Sequence, residues 1–244
     1  MKQLWVLVLL LLVSPATFGT TYSFHPVPSD MNDIDHHFLY SWSISGISLA
    51  GQTITSAKLG FTNIQNWNAN PNILYIHMFD SALNTPNPAA SPAPVTCLSN
   101  TQNSKPVTTC QYQYDLGSPD PNISNFVDYI GTNNPSHSPA NATAENLFGA
   151  SVLTSGNTLL GSPSFTTTPQ TYWLTFNSSE LAALQAYLNN SGNVAFGFDP
   201  NCHFFNDGIV FKYTTDPVPE PGSMLLLGSG LCGLAGVVRR KLRK

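Results

Sequence analysis

The sequence has few charges and almost no cations outside its last residues. Charged residues make up 9% of the 244 residues, about a third of the usual share of roughly 25%. Between residues 20 and 216 there is no arginine, and three lysines stand against twelve acidic residues. Nucleic-acid binding needs lysine and arginine to neutralise phosphates, so we expect no nucleic-acid partner. An acidic body of this kind leaves room for a cation such as Ca²⁺.

Several signatures of enzymes and metal sites are also absent. The chain has no Gly-x-Ser-x-Gly, no His-Glu-x-x-His, no P-loop and no Cys-x-x-Cys. Each of these motifs carries a specific chemistry, namely acyl transfer, zinc hydrolysis, phosphate binding or zinc ligation by thiolates. We therefore expect a non-catalytic body. The alternative is a secreted glycan-active hydrolase, which would use a pair of aspartates.

The N-terminus is typical of a secretory signal peptide. Lys2 precedes the apolar run from residue 4 to residue 13, which is too short to span a bilayer. Thr17 and Gly19 are small residues at positions −3 and −1 of a cut before Thr20. We predict a signal peptide over residues 1–19 and an exported body over residues 20–213. Export implies a compartment in which disulfides persist.

The C-terminus combines a proline motif, an apolar segment and a basic end. The apolar segment covers the 15 residues 224–238, which span roughly 22 Å as a helix against a hydrocarbon core of about 30 Å. This predicts a marginal transmembrane helix whose basic end stays cytoplasmic. The motif is Pro219, Glu220 and Pro221, and the basic residues are Arg239, Arg240, Lys241, Arg243 and Lys244.

These three parts, in this order, resemble the PEP-CTERM sorting signal of Gram-negative bacteria. The resemblance covers residues 218–244, and we assign residues 219–244 to the sorting segment and residues 214–218 to a spacer. It implies that an exosortase-like membrane enzyme cuts near the motif. The precursor would be anchored in the inner membrane, and the product would pass to the outer surface or extracellular matrix. Such proteins are associated with bacteria that make exopolysaccharide, so a polysaccharide partner is also implied. The alternative is an ordinary single-pass anchor.

Alternating apolar and polar residues in the body predict an all-β fold. We expect an antiparallel β-sandwich or jelly roll with one short helix at about 179–189. Ser178 or Ser179 would cap this helix, and Gly192 would follow its end. The predicted strands are residues 38–44, 57–62, 73–79, 171–176, 194–198 and 209–214, with 73–79 as a central strand.

The body contains three of the four cysteines. Cys97 and Cys110 flank a polar segment that we interpret as a loop. A disulfide between them would contribute about 3 kcal/mol in the chain-entropy model. Cys202 would then be unpaired; the alternative is that all three thiols are reduced and buried.

Two segments rich in aspartate and asparagine suggest a structural Ca²⁺ site. They cover residues 30–37 and 199–208, and they would meet if the first and last strands are neighbours. Oxygen ligands from both segments suit a hard cation, although Asp and Asn are also common turn formers. We interpret His36 and His37 as strand neighbours on opposite faces, unable to share one ion. The predicted ligands are Asp33, Asp35, Asp199, Asn201 and Asp207.

Aromatic side chains offer a second kind of site. Trp42 lies on the apolar side of its predicted strand, so we expect it in the core. Trp67 lies in a polar stretch with four asparagines between residues 63 and 70. It is the better candidate for an exposed platform on which a sugar ring stacks.

Overall fold

The structure, a computed structural model of the chain, describes residues 19–80, 96–102, 105–115, 128, 130 and 157–216, with residues 228–231, 233, 239 and 241 of the tail. Nearly all of the predicted signal peptide and most of the predicted sorting segment lie outside the described residues. Thr21–Thr215 form one compact unit, which is called the body below.

The described part of the body has twelve strands and one helix. The helix α1 covers Ser178–Ser191 and lies between β9 and β10 in the chain. The strands are β1 (Thr21–Phe24), β2 (Phe38–Ser45), β3 (Ile54–Asn66), β4 (Asn72–Phe79), β5 (Thr96–Gln102), β6 (Lys105–Asp115), β7 (Asn157–Gly161), β8 (Ser164–Phe165), β9 (Gln170–Thr175), β10 (Val194–Pro200), β11 (Phe204–Phe205) and β12 (Gly208–Thr215).

These strands pair in two antiparallel sheets. The first sheet has the order β1-β12-β3-β11, and β9 also pairs with β3. The second sheet has the order β5-β6-β2-β10-β4-β7, and β8 pairs with β4. The prediction of an antiparallel all-β fold is confirmed. The central position predicted for residues 73–79 is also confirmed, because β4 pairs with β10 on one side and with β7 on the other.

Aromatic residues from both sheets form one core. The ring centroids of Phe196 on β10 and Phe211 on β12 are 4.8 Å apart. Those of Phe61 on β3 and Phe198 on β10 are 5.9 Å apart. All four side chains are fully buried. The two sheets therefore face each other across this layer, which is what the apolar side of each alternating strand predicts.

Helix α1 begins one residue earlier than predicted. Asn177 is its N-cap, and its side chain accepts hydrogen bonds from the backbone N–H groups of Ser179 and Glu180. The Glu180 carboxylate accepts from the backbone N–H of Asn177 at 2.7 Å, which completes a capping box. The expectation of a serine cap at Ser178 or Ser179 was wrong, because Asn177 supplies the same acceptor one position earlier. Gly192 ends the helix with a φ of 69°, as expected.

The segment between the cysteines is a hairpin and not a loop. β5 and β6 pair from Thr96 opposite Gln111 to Gln102 opposite Lys105. The polar composition of this segment suggested a loop, but threonine favours strands because its branched side chain fits a pleated surface. At the other end of the body, β12 continues to Thr215. The first two residues of the predicted spacer therefore belong to a strand.

Candidate functional site

The two Asp/Asn-rich segments meet at one end of the body. β1 and β12 are antiparallel neighbours, so the segment that follows β1 and the segment that precedes β12 leave the sheet at the same end. Ile34 and Phe204 exchange backbone hydrogen bonds of 3.0 and 2.8 Å. The backbone N–H of Asn206 donates to Asp33 Oδ1 at 3.0 Å, and its side-chain amide donates to the Asp30 carbonyl at 2.9 Å. The expected meeting of the two segments is present in the structure.

Three consecutive residues in this junction have left-handed backbone conformations. The φ angles of Met31, Asn32 and Asp33 are 58°, 57° and 62°. Asparagine and aspartate tolerate this conformation better than most residues, but methionine does not. The turn is held by the two Asn206 contacts and by burial of Met31. The Gln111 amide also donates to the Met31 carbonyl at 3.3 Å.

A groove of about 550 Å³ opens beside this turn. All three of its carboxylates are already engaged locally, Asp33 by the Asn206 N–H described above. Asp30 Oδ1 accepts from the backbone of Asn32 at 3.0 Å, and Asp207 Oδ2 accepts from the Asn63 amide. The groove therefore combines carboxylates, amides and one aromatic ring within a single concave surface. Its lining residues are Asp30, Asp33, Asn63, Gln65, Pro169, Phe205, Asn206 and Asp207.

The five predicted calcium ligands do not share one position. Asp33 and Asp207 line the groove, whereas Asp35, Asp199 and Asn201 do not. Asp199 is fully buried on β10, where it lies opposite Tyr75 of β4. Burial raises the pKa of Tyr75, and the charges of Asp128 and Asp199 raise it further. Asn201 is buried, and its backbone N–H donates to the Ile73 carbonyl at 2.9 Å.

Asp35 instead lies among three histidines, and we call these four residues the Asp–His cluster. Its Oδ1 atom is 3.2 Å from His36 Nδ1 and 3.7 Å from His37 Nδ1. Its Oδ2 atom is 3.4 Å from His203 Nδ1. The interpretation of His36 and His37 as strand neighbours on opposite faces was wrong. Both residues precede β2 and lie in a turn, so their rings fall on one side with centroids 4.3 Å apart.

The tryptophans lie where their sequence contexts predict. Trp42 is fully buried, whereas Trp67 is 64% exposed. The backbone N–H of Trp67 donates to the His203 carbonyl at 2.9 Å, which places this residue beside the Asp–His cluster. Trp173 is a further exposed aromatic that sequence reasoning did not single out. Its ring lies 4.2 Å from the Lys58 ammonium and 5.5 Å from that of Lys212.

The cysteines occupy distinct environments. Cys110 is disulfide-bonded, and Cys97 lies directly opposite it in the β5–β6 ladder. Residues facing each other in an antiparallel pair have Cα atoms about 4.5–5.5 Å apart, within the range that a disulfide spans. The pairing of Cys97 with Cys110 remains a prediction, and this register is the one it requires. Cys202 is a buried thiol outside any disulfide, and its Sγ accepts a hydrogen bond from the Asn68 amide at 3.5 Å.

Sequence reasoning missed a buried histidine network on the outer face of the second sheet. His77 Nε2 lies 3.0 Å from both Asp128 carboxylate oxygens, and its Nδ1 lies 2.8 Å from the Asn157 side-chain oxygen. The Asn157 amide donates in turn to the Ile130 carbonyl at 2.9 Å. His77 and Asp128 are 51 positions apart in the chain, and His77 and Asn157 are 80 positions apart. Both ring nitrogens are engaged, so the network holds residues 128 and 130 against the sheet.

Residues 217–244 match the family model of the PEP-CTERM protein-sorting motif. The chain carries a PEP-CTERM sorting tail. The match includes Pro219, Glu220 and Pro221 and the five terminal cations, as the resemblance predicted. No curated protein matched the chain, and no solved structure did either.

The PEP-CTERM motif supports an exported protein that exosortase, a membrane enzyme, processes. Of the tail, the structure describes residues 228–231, 233, 239 and 241, all of them helical. Pro219, Glu220 and Pro221 lie outside the described residues. Among the residues that are described, none of the helices has both the length and the apolar character needed to cross a membrane.

Proposed function

We propose that this protein is a surface or matrix component of a Gram-negative bacterium whose body binds polysaccharide. The PEP-CTERM tail carries the first half of the proposal, because it marks a chain for export and exosortase processing. The precursor would sit in the inner membrane through its tail, with its basic end cytoplasmic. The processed body would then reach the outer surface or the matrix, where exopolysaccharide is the abundant polymer.

The groove supports the second half of the proposal. Sugars present hydroxyl groups and apolar ring faces, so their sites combine hydrogen-bonding side chains with aromatic rings. Asn63, Gln65 and the unengaged carboxylate oxygens of the groove supply donors and acceptors. Phe205 supplies a half-buried ring in the same groove, and Trp67 a largely exposed one at the same end of the body.

A glycan hydrolase is the second candidate, because three carboxylates line this groove. Glycosidases need two carboxyl groups, one of which stays protonated as the general acid. All three carboxylates already accept a hydrogen bond within the protein, namely Asp30 and Asp33 from backbone N–H groups and Asp207 from the Asn63 amide. Each is thus held by a structural contact of its own, so binding without cleavage is the better-supported function.

The binding proposal is tested with the host's own exopolysaccharide. Full-length protein should bind immobilised polymer, and Phe205→Ala and Trp67→Ala should each weaken binding severalfold. Trp173→Ala is the matched control, since Trp173 is exposed but lies against Lys58 and Lys212. If the immobilised polymer retains all three variants equally well, the binding proposal is contradicted. Release of reducing sugar that Asp33→Asn abolishes would favour the hydrolase.

The sorting proposal is tested by intact mass and cell fractionation with and without the host's exosortase. Mature protein should lack residues 239–244. Glu220→Ala should leave uncut protein in the inner membrane. Asp216→Ala removes an acidic residue just outside the matched motif and should be processed normally. Protein at the cell surface that still carries its basic end would contradict the sorting proposal.

A further inference from the structure

We propose that the Asp–His cluster binds a late first-row transition-metal dication such as Zn²⁺. Asp35 Oδ1, His36 Nδ1 and His37 Nδ1 are the ligands, and His203 positions the carboxylate through its other oxygen. This site differs from the groove in residues and in ligand chemistry. It depends on neither the tail nor polysaccharide binding.

The separations within the cluster match those between ligands of one tetrahedral ion. Bonds of about 2.0–2.2 Å to nitrogen and oxygen give a tetrahedron with edges of about 3.3–3.6 Å. The observed distances from Asp35 Oδ1 are 3.2 Å to His36 Nδ1 and 3.7 Å to His37 Nδ1. One ligand atom from each of Asp35, His36 and His37 lies within 4.8 Å of the others. The two distances from Asp35 Oδ1 fit these edges, and the three atoms can converge on one ion if the two imidazoles move closer together.

The backbone around the cluster is held from both sides. The Asp35 N–H donates to the Tyr40 hydroxyl at 2.8 Å, and the Phe38 N–H donates to the Asp35 carbonyl at 3.0 Å. The His37 N–H donates to Asp35 Oδ1 at 3.0 Å, which leaves that oxygen a second lone pair. The bridge between Ile34 and Phe204 keeps His203 beside this turn. The ligands are thus held by two strand ends before any ion arrives.

His203 has the position of an outer residue that orients a metal ligand. Its Nδ1 faces Asp35 Oδ2 at 3.4 Å, and partners of this kind fix the orientation of a ligating carboxylate. Its Nε2 is buried and has no hydrogen-bond partner among the described residues. Burying a ring nitrogen without a partner costs free energy. The ring of His203 therefore bears this cost at Nε2 while its Nδ1 faces Asp35.

Charge also favours a cation at this position. Asp35 has no lysine or arginine partner in the described part of the chain, and the body has only three lysines. Two of these, Lys58 and Lys212, lie against Trp173. A dication bound by the carboxylate and the two imidazoles would neutralise the charge of Asp35.

The ligand types identify the class of metal. Two imidazoles and one carboxylate suit Zn²⁺, Co²⁺, Ni²⁺ and Cu²⁺, whereas Ca²⁺ requires six to eight oxygens. Three protein ligands leave a fourth position open. The ligands border solvent, because the side chains of Asp35, His36 and His37 are 28%, 18% and 46% exposed. Water or a small anion can therefore complete the coordination.

The test is a metal titration of the full-length chain after removal of bound metal by a chelator. Calorimetry should give one Zn²⁺ per chain, and Co²⁺ should give the intense visible absorption of a tetrahedral nitrogen and oxygen site. His36→Ala, His37→Ala and Asp35→Asn should each weaken Zn²⁺ binding at least tenfold.

Two comparisons make the titration decisive. His25→Ala removes a histidine whose Nδ1 lies 3.1 Å from the Ile209 carbonyl, away from the cluster, and should leave affinity unchanged. His203→Ala should weaken binding about tenfold, and His203→Asn should restore part of the loss by donating to Asp35 Oδ2. Wild-type protein without the cobalt absorption would overturn the proposal. So would unchanged Zn²⁺ affinity in the His36→Ala/His37→Ala variant, or displacement of Zn²⁺ by equimolar Ca²⁺.

Discussion

Asn32 is an exposed residue with a φ of 57°, in the middle of the left-handed turn that shapes the groove. A side chain branched at Cβ costs roughly 1–2 kcal/mol in this conformation, whereas glycine costs almost nothing. We expect Asn32→Val to lower the free energy of unfolding by about 1–2 kcal/mol and Asn32→Gly to leave it nearly unchanged. Chemical denaturation measures both. Asn70→Val, at an exposed position without a positive φ, should have little effect.

Individual residues also explain why the meeting of the two Asp/Asn-rich segments was predicted and the Asp–His cluster was not. Asp33 and Asp207 could be placed together from sequence, because neighbouring first and last strands bring their segments to one end of the sheet. The Asp–His cluster could not. Adjacent histidines face opposite ways in a strand and the same way in this turn. β2 does begin at Phe38, as predicted, but the alternation within a strand says nothing about the backbone of the two residues that precede it.

At the scale of elements, substitutions at the start of helix α1 test whether Asn177 is its N-cap. Asn177→Ala removes the acceptor for two backbone N–H groups and should cost about 1 kcal/mol. Ser178→Ala, at the exposed position first predicted as the cap, should change stability by less than about 0.5 kcal/mol. Denaturant midpoints with unchanged slopes would show these differences. A larger loss for Ser178→Ala than for Asn177→Ala would refute the assignment.

A substitution at the C-terminal end of α1 should lower stability more than one at its N-cap. A Cβ atom added at Gly192 would lie 2.6 Å from the Ile47 carbonyl oxygen, and the residue has a φ of 69°. The Gly192 carbonyl also accepts from the Ile47 N–H at 2.9 Å, so the backbone cannot easily move away. We expect Gly192→Ala to destabilise the body by more than the roughly 1 kcal/mol that the left-handed conformation alone costs. Thermal unfolding would measure the loss.

Elements differ in how well sequence predicts them. β2, β4 and β10 were recognised because their apolar residues recur at the period of a strand or run without interruption. The β5–β6 hairpin was missed, since its strands are rich in threonine and glutamine and their one alternating run, Cys110 to Tyr114, is short. Alternation also misled in one respect. Ser41 and Ser43 alternate with the apolar residues of β2, yet both are buried on the outer face of the second sheet.

At the scale of the whole molecule, Ca²⁺ in the groove remains a prediction. Ca²⁺ at a hundred times its dissociation constant would stabilise the native state by about 2.7 kcal/mol. For a chain of this size that raises the melting temperature by roughly 5–10 °C. We expect a chelator to lower the melting temperature, excess Ca²⁺ to restore it, and Asp33→Asn or Asp207→Asn to blunt the response. His36→Ala should leave the Ca²⁺ response intact, which separates the groove from the Asp–His cluster.

The order in which the body emerges during export follows from its topology. The central strand of each sheet comes late in the chain. β12 lies between β1 and β3, and β10 lies between β2 and β4. Until residues 194–215 have crossed, four earlier strands lack a partner along one edge. Phe61 then lacks Phe198, and Phe24 lacks Phe211.

Exported chains cross the membrane and fold from the N-terminus onward. The body therefore stays incompletely folded for almost its entire passage, which lets it cross as an extended chain. It closes only when its last strand arrives, and the next residues to arrive are the sorting tail. Completion of the fold and arrival of the tail are therefore consecutive events. Exosortase would meet its substrate sequence only after the strands that complete the body have been delivered.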